Sequence, residues 1–421
     1  MDVKVSGCPR ARAIVTVPAS KSISHRALIA ASLAEGTSTI RRLVDNADTQ
    51  ATIRCLRHLG ADVENAGDTI LVHGKEISYD GEVLDCSESG STLRFLIPIA
   101  AVQQRPVVFT GHGRLMHRPL DVYADLFAKE NLSFAQDGEY LRVQGPLSAG
   151  TFDIDGSISS QFITGLLFAL PLLSGDSLIR IRPPYESRSY VGLTEQVLVR
   201  SGLEIQDDGL TISIKGSQHY QPINVSVEGD ASQAAFFGVL AGITDTSITL
   251  QGLNPASRQG DMAFVSALER AGVIVETSAS GDGFVISGAG KLHSGTIDLA
   301  DCPDLGPVLF ALASQCEGTT VFTNAGRLRV KESDRIACME EEMGKMGCDI
   351  SSTRDTVTVR GRTAVRGNVE VDGHNDHRIV MALAVLAGCA DGPVTIHGAE
   401  AINKSYPGFF DDLRLTGMEV Q

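Results

Sequence analysis

The chain has 421 residues, 43% of them apolar, and a formal net charge of −15. That acidity argues against nucleic acid as a partner, because a phosphate backbone is bound by a basic face, while small anions remain suitable ligands if Lys and Arg residues converge locally. No apolar run is long enough to span a bilayer, and Met1 to Ser6 lack the order of a signal peptide, so a cytoplasmic protein is expected, without membrane contact.

In chain order, Ala13 to Val17 reads as a β-branched strand closed by Pro18, at the front of a first repeat. Lys21 to Ala34 follows with Ile23, Ala27, Ala30, Ala31 and Ala34 at helical spacing, and Glu35 and Gly36 stop it. A second helix is predicted from about Asp48 to Leu59. After Gly60, the segments Ala61 to Glu64 and Thr69 to His73 read as a hairpin. It returns as Leu203 to Gln206 with Leu210 to Ile214, and as Cys348 to Ser351 with Thr356 to Val359. One repeat therefore reads strand, helix, strand, helix, strand, strand.

Two marks recur about every 70 residues, the length of a whole supersecondary module. Ser20, Ser89, Ser159, Asp230, Asp304 and Asn375 each open an apolar segment that reads as a buried helix. Gly60, Gly202, Gly272, Gly347 and Gly417, with Asn131 in the remaining place, each close a helix before a strand. Six modules in a chain too long for one core imply two domains of three, with a boundary expected in the stretch from Gly216 to Pro222. The cysteines (Cys8, Cys55, Cys86, Cys302, Cys316, Cys338, Cys348 and Cys389) are scattered without a Cys-x-x-Cys pair, and read as buried thiols. No glycine motif for nucleotide phosphates follows a strand, so no ATP or NAD cofactor is implied. His25 and His377 lack partners at ligand spacing, so no metal is expected.

The helix starts carry short hydrogen-bonding side chains, which suits anions because free N–H groups and the helix dipole attract negative charge; ordinary N-capping explains any one of them equally well. Basic residues tip the balance. Lys21, Ser22 and Arg26 lie on one helical turn, Arg118 stands before Pro119 at the start of a second helix, Lys331 and Arg335 are four apart at another, and Arg378 and Lys404 follow. Such residues usually form a solvated face, but repeated at equivalent helix starts they point to phosphate or carboxylate ligands.

The stretches Pro18 to Arg26, Gly90 to Arg94, Arg118 with Pro119, Ser159 to Gln161, Arg329 to Arg335 and Asn375 to Arg378 together resemble the EPSP synthase (3-phosphoshikimate 1-carboxyvinyltransferase) family of enolpyruvyl transferases. The resemblance runs from the first module to Lys404. It implies an α/β fold of two hinged domains, each of three βαβαββ repeats in a pseudo-threefold arrangement, an inside-out α/β barrel. Residues 19–227 would form the N-terminal domain on the shikimate 3-phosphate side. Residues 1–18 with 228–421 would form the C-terminal domain, carrying base, acid and phosphoenolpyruvate-binding cations.

By the same resemblance, Lys21, Ser22, Arg26, Ser159, Ser160, Gln161, Ser187, Asp304 and Lys331 would hold shikimate 3-phosphate. Lys21, Gly90, Arg118, Gln161, Arg335, Arg378 and Lys404 would hold phosphoenolpyruvate. Asp304 is the expected base and Glu332 the expected acid, with Lys21 as an assisting proton carrier. Each carboxylate has a plainer reading: Asp304 as a helix cap, Glu332 as the i,i+3 ion-pair partner of Arg335. The resemblance implies a monomer acting on two small anionic substrates without a cofactor. Glu88 and Arg327 stand where many members have Asn, which bears on phosphoenolpyruvate affinity and on inhibition by its mimics such as glyphosate. Two alternatives stay open: a UDP-N-acetylglucosamine enolpyruvyl transferase, whose family carries a cysteine where this chain has Gly113, and a non-catalytic anion-binding repeat protein.

Overall fold

The computed structural model describes every residue except 8–11, 245, 289 and 363, so Cys8 lies outside the described residues. The chain forms two compact units, one of Ala19–Val227 and one of Met1–Pro18 with Glu228–Gln421. The stretch from Gly216 to Pro222 lies inside the first unit, which corrects the boundary expected there. Its polar and Pro-containing composition suits a boundary, yet Tyr220 is buried and its hydroxyl donates to the Phe168 carbonyl at 2.7 Å.

The first unit contains helices α1 (Lys21–Leu33), α2 (Ala47–His58), α3 (Gly90–Ala100), α4 (Asp121–Lys129), α5 (Ser160–Ala169) and α6 (Arg188–Arg200). The second contains α7 (Ala231–Ile243), α8 (Ala263–Arg270), α9 (Gly306–Gln315), α10 (Arg335–Lys345), α11 (His377–Leu386) and α12 (Phe409–Leu415). The first helix of each repeat (α1, α3, α5, α7, α9, α11) is buried over most of its length. Helices that are apolar all round must lie inside. The strands alternate buried and exposed residues, as in Arg12–Thr16 and Tyr140–Gln144, so each sheet shows one face to solvent. Helices within and sheets without is the sense in which the fold is inside-out. The described strands form six four-stranded sheets, none closing on itself.

The third repeat shows the βαβαββ pattern plainly. Thr151–Asp155 runs parallel to Ser177–Arg182 across α5, and after α6 the hairpin Ile205–Asp207 with Thr211–Ile214 adds antiparallel to Ser177–Arg182. The first repeat departs from its expected composition. Its parallel strand is Asn224–Ser226, laid against Gly36–Arg41, whereas Arg12–Thr16 pairs with Ser247–Gln251 and so completes the fourth repeat. Val3–Ser6 likewise completes the sixth, between Val394–His397 and Glu419–Val420. Alternation fixes which face of a strand is buried; it carries no record of which sheet edge the strand joins.

The recurring glycines have a backbone reason. Gly60, Gly202, Gly272, Gly347 and Gly417 have φ of 106, 82, 92, 85 and 91°, and Asn131 has 55°. This is the left-handed helix-ending position that Gly and Asn tolerate. The next amide reaches five residues back, as in Ala61 to Leu56 at 3.1 Å, Leu132 to Phe127 at 2.8 Å and Cys348 to Met343 at 2.9 Å. Six of the seven described cysteines are buried and Cys389 is partly so, and none of them is in a disulfide. No described helix is long and apolar enough to cross a membrane.

Candidate active site

In the first unit the expected residues gather at the starts of α1, α3 and α5. Lys21 Nζ lies 2.9 Å from Asp48 on α2, a partner that no local pattern marks. Ser22 is partly exposed one residue on. Arg26 is buried among neutral acceptors: it donates to Thr194 Oγ1 at 2.8 Å, the Ser22 carbonyl at 2.7 Å and the Tyr190 carbonyl at 2.9 Å, and stacks over Phe95. Burial lowers its pKa to about 10. No carboxylate among the described residues pairs with it.

Arg118 does not open a helix as expected. A 3-10 turn, Leu115–His117, ends on it and α4 begins only at Asp121, because Pro119 holds the preceding residue extended. The guanidinium instead lies across the start of α3: a Cβ at Gly90 would fall 2.7 Å from its NH1. Among the described residues its side chain makes no hydrogen bond or ion pair, and Nε is buried. A partnerless guanidinium over a bare helix start is suited to an anion.

Ser159 caps α5, accepting the Gln161 amide at 3.3 Å, with Ser160 buried beside it. Gln161 is held by both ends of its amide: Oε1 accepts from Arg94 at 2.7 Å and Nε2 donates to Ser91 Oγ at 3.1 Å. Arg94, which the sequence placed in a motif but gave no role, also donates to the Pro119 carbonyl at 3.1 Å and thus joins Gln161 to the Arg118 segment. This closeness needs Gly165, where a Cβ would fall 2.2 Å from the Tyr123 hydroxyl. Ser187 is buried at the start of α6 with φ of 52°. Glu88 sits against Gly113, where a Cβ would lie 2.5 Å from its carboxylate.

In the second unit Asp304 is the centre. Its side chain does not cap a helix. Oδ1 pairs with Lys331 at 3.2 Å and Arg335 at 3.0 Å, and Oδ2 with Arg378 at 3.0 Å. Arg335 is buried and bridges further to Glu332 at 2.7 Å and to Asp376 at 2.8 Å. The plain i,i+3 pairing of Glu332 is therefore present, inside a larger cluster. Burial opposes the Arg335 charge, but Asp376, Glu332 and Asp304 outweigh it and raise its pKa. For Lys331 the balance reverses: burial, with the Arg327 and Arg335 charges, outweighs Asp304 and Glu332 and lowers it to about 8.

The helix starts here are shifted from expectation. α10 begins at Arg335 with Asp334 as its cap, so Lys331 and Glu332 lie in the turn before it. Asp376, not Asn375, caps α11, accepting the Arg378 amide at 2.9 Å. Arg378 also donates to Ser232 Oγ at 3.0 Å, and Lys404 to the Asn375 carbonyl at 2.7 Å. Glu341, Glu342 and His374 come within reach of one another, but Lys345 Nζ already sits 2.9 Å from Glu342.

A sequence model of the EPSP synthase (3-phosphoshikimate 1-carboxyvinyltransferase) family matches residues 5–413. The chain is 41% identical over 427 residues to a 3-phosphoshikimate 1-carboxyvinyltransferase of Clostridium acetobutylicum, covering 99% of this chain and 98% of that one. It is 40% identical over 416 residues to that of Clostridium novyi, covering 96% and 94%. Among solved structures, an EPSP synthase from Acinetobacter baumannii superposes with a TM-score of 0.82 at 27% identity, covering 100% of both chains. The enolpyruvyl transferase NikO from Streptomyces tendae gives a TM-score of 0.81 at 16% identity over 100% and 98% of the two chains, a likeness of fold alone.

Proposed function

Because the chain belongs to the EPSP synthase family, we propose that it transfers the carboxyvinyl group of phosphoenolpyruvate to the 5-hydroxyl of shikimate 3-phosphate and releases phosphate. The observation that carries this reading is the Asp304 cluster, in which a candidate base is held by three cations that would bind anionic substrates and a candidate acid shares one of them, Arg335. Addition of the hydroxyl to the enol carbon needs a proton removed from oxygen and one delivered to the methylene carbon. The tetrahedral product of that step then expels phosphate.

On this reading Ser22, Arg26, Ser159, Ser160, Ser187, Asp304 and Lys331 bind shikimate 3-phosphate, and Gly90, Arg118, Arg335, Arg378 and Lys404 bind phosphoenolpyruvate, with Lys21 and Gln161 serving both. Without ligand, three cations hold Asp304. Incoming phosphate and carboxylate groups compete for Lys331, Arg335 and Arg378, which leaves Asp304 free to accept the hydroxyl proton. Glu332, losing Arg335 to the ligand, loses the positive charge that favours its ionised form and becomes a better proton donor. Lys21 leaves Asp48 for the ligand in the same way. The enzyme would act as a cytoplasmic monomer without a cofactor.

Phosphate release from phosphoenolpyruvate tests the reading, with shikimate 3-phosphate and UDP-N-acetylglucosamine supplied in parallel and no metal or nucleotide added. Release with shikimate 3-phosphate alone is expected; release with neither would return the anion-binding module, and release with the sugar nucleotide alone the rival transferase. The lack of a cysteine thiol at Gly113 disfavours that rival.

Two further results are expected. Arg118→Ala should weaken phosphoenolpyruvate binding by about 2–5 kcal/mol, the cost of removing one partner from a buried charge contact; an unchanged KM for phosphoenolpyruvate would remove Arg118 from the site. Lys331 binds anions only when protonated and its pKa lies at about 8. The Kd for shikimate 3-phosphate should therefore rise with pH above that value, by up to about tenfold per pH unit. Titration calorimetry across this range should show the break in the wild type and lose it in Lys331→Arg.

A further inference from the structure

A buried line of side chains crosses three helices of the first unit. His25 Nδ1 on α1 lies 2.7 Å from Thr52 Oγ1 on α2, which lies 2.7 Å from Thr92 Oγ1 on α3. Thr92 Oγ1 donates to Ser89 Oγ at 2.7 Å, and Ser89 also accepts the Thr92 amide at 3.2 Å as the cap of α3. All four residues are at most 1% exposed. His25 Nε2 is buried without a partner among the described residues, and burial first, then the Lys21 and Arg26 charges, pushes the imidazole pKa well down. The ring is therefore neutral, and with one proton on each hydroxyl the line can run in one direction from end to end.

The line has a companion. Lys21 precedes His25 by four residues on α1, and Asp48 precedes Thr52 by four on α2, so Lys21–Asp48 and His25–Thr52 are successive rungs between the same two helices. The outer rung is charged, and an anion that takes Lys21 breaks it. The inner rung is neutral, buried and continuous with the cap beside Gly90. We infer that His25, Thr52 and Thr92 are positioning residues: they keep the start of α3, and so the Gly90 amide, in register with Lys21 when that lysine leaves Asp48 for phosphoenolpyruvate. This rests on the proposed function for the identity of the anion.

Thr52→Val tests it, because the substitution keeps the shape and removes the hydroxyl at the middle of the line. The expected result is a KM for phosphoenolpyruvate, measured at saturating shikimate 3-phosphate, raised about tenfold, with the Kd for shikimate 3-phosphate within twofold of wild type. Thr52→Ser should recover most of the loss, and Thr92→Val should reproduce it. An unchanged KM for phosphoenolpyruvate in a folded Thr52→Val protein, or an equal loss for both substrates, would overturn the inference. If Thr52→Val does not fold, Thr92→Val decides by the same readings. Wild-type protein that binds phosphoenolpyruvate without turnover would sink the proposed reaction and leave titration of phosphoenolpyruvate as the test of positioning; wild-type protein that does not bind it overturns both.

Discussion

Asp304→Asn is expected to lower kcat by about 10²–10⁴-fold, the range supplied by a positioned general base, while substrate binding is retained or tightened. The two halves of this result come from one geometry. The carboxylate is the only group among the described residues that pairs with Lys331, Arg335 and Arg378 together, so it competes with any anion for all three. An amide of the same shape keeps weaker hydrogen bonds, removes the competing charge and cannot accept the proton. A protein that merely bound anions would gain from the change in every respect. Titration of shikimate 3-phosphate beside phosphate-release kinetics separates the outcomes: turnover within a few fold of wild type would remove Asp304 as the base, and lost binding would make it a structural anchor of the cations instead.

The parts of this molecule legible in the sequence are those set by local rules. The period of the repeats is written by left-handed helix ends, which Gly60, Gly202, Gly272, Gly347 and Gly417 supply because a β-carbon is strained there. The buried helices are written by apolar runs. Strand partnership is not local, and Arg12–Thr16 could be placed on the right face of a sheet but not in the right sheet. The site divides the same way. Its cations stand out because they repeat at equivalent places, whereas Asp48, Arg94 and Asp376 are set by contacts 27, 67 and 41 residues away in sequence. Asp376 was visible as part of the Asn375 to Arg378 motif, but nothing in that motif says that its carboxylate belongs to Arg335. Pro119 carries the local signal here: the residue before a proline disfavours helix, and Arg118 obeys that rule.

Asp376→Ala is expected to destabilise the folded protein by about 3–5 kcal/mol, the cost of removing one partner from a buried ion pair. Asp376 and Arg335 are 0% and 1% exposed, so neither can recover solvation in place. The carboxylate receives Arg335 Nε at 2.8 Å, Ser333 Oγ at 3.0 Å and the Arg378 amide at 2.9 Å. Its loss therefore strands a guanidinium, a hydroxyl and a helix-end amide together. Glu332 and Asp304 still face Arg335 and place the effect toward the lower end of the range. Asp376→Asn keeps the cap and the shape but not the charge, so it should lose the ion pair while sparing the roughly 1 kcal/mol of capping. The chain has no tryptophan, so urea unfolding is followed by circular dichroism. Arg335→Met with Asp376→Ala closes a double-mutant cycle, and a coupling near zero would mean that the pair does not act as a unit. A large coupling would identify Asp376 as the residue that fixes Arg335 before any ligand arrives. The guanidinium could then exchange Glu332 and Asp304 for a substrate anion without losing its own orientation.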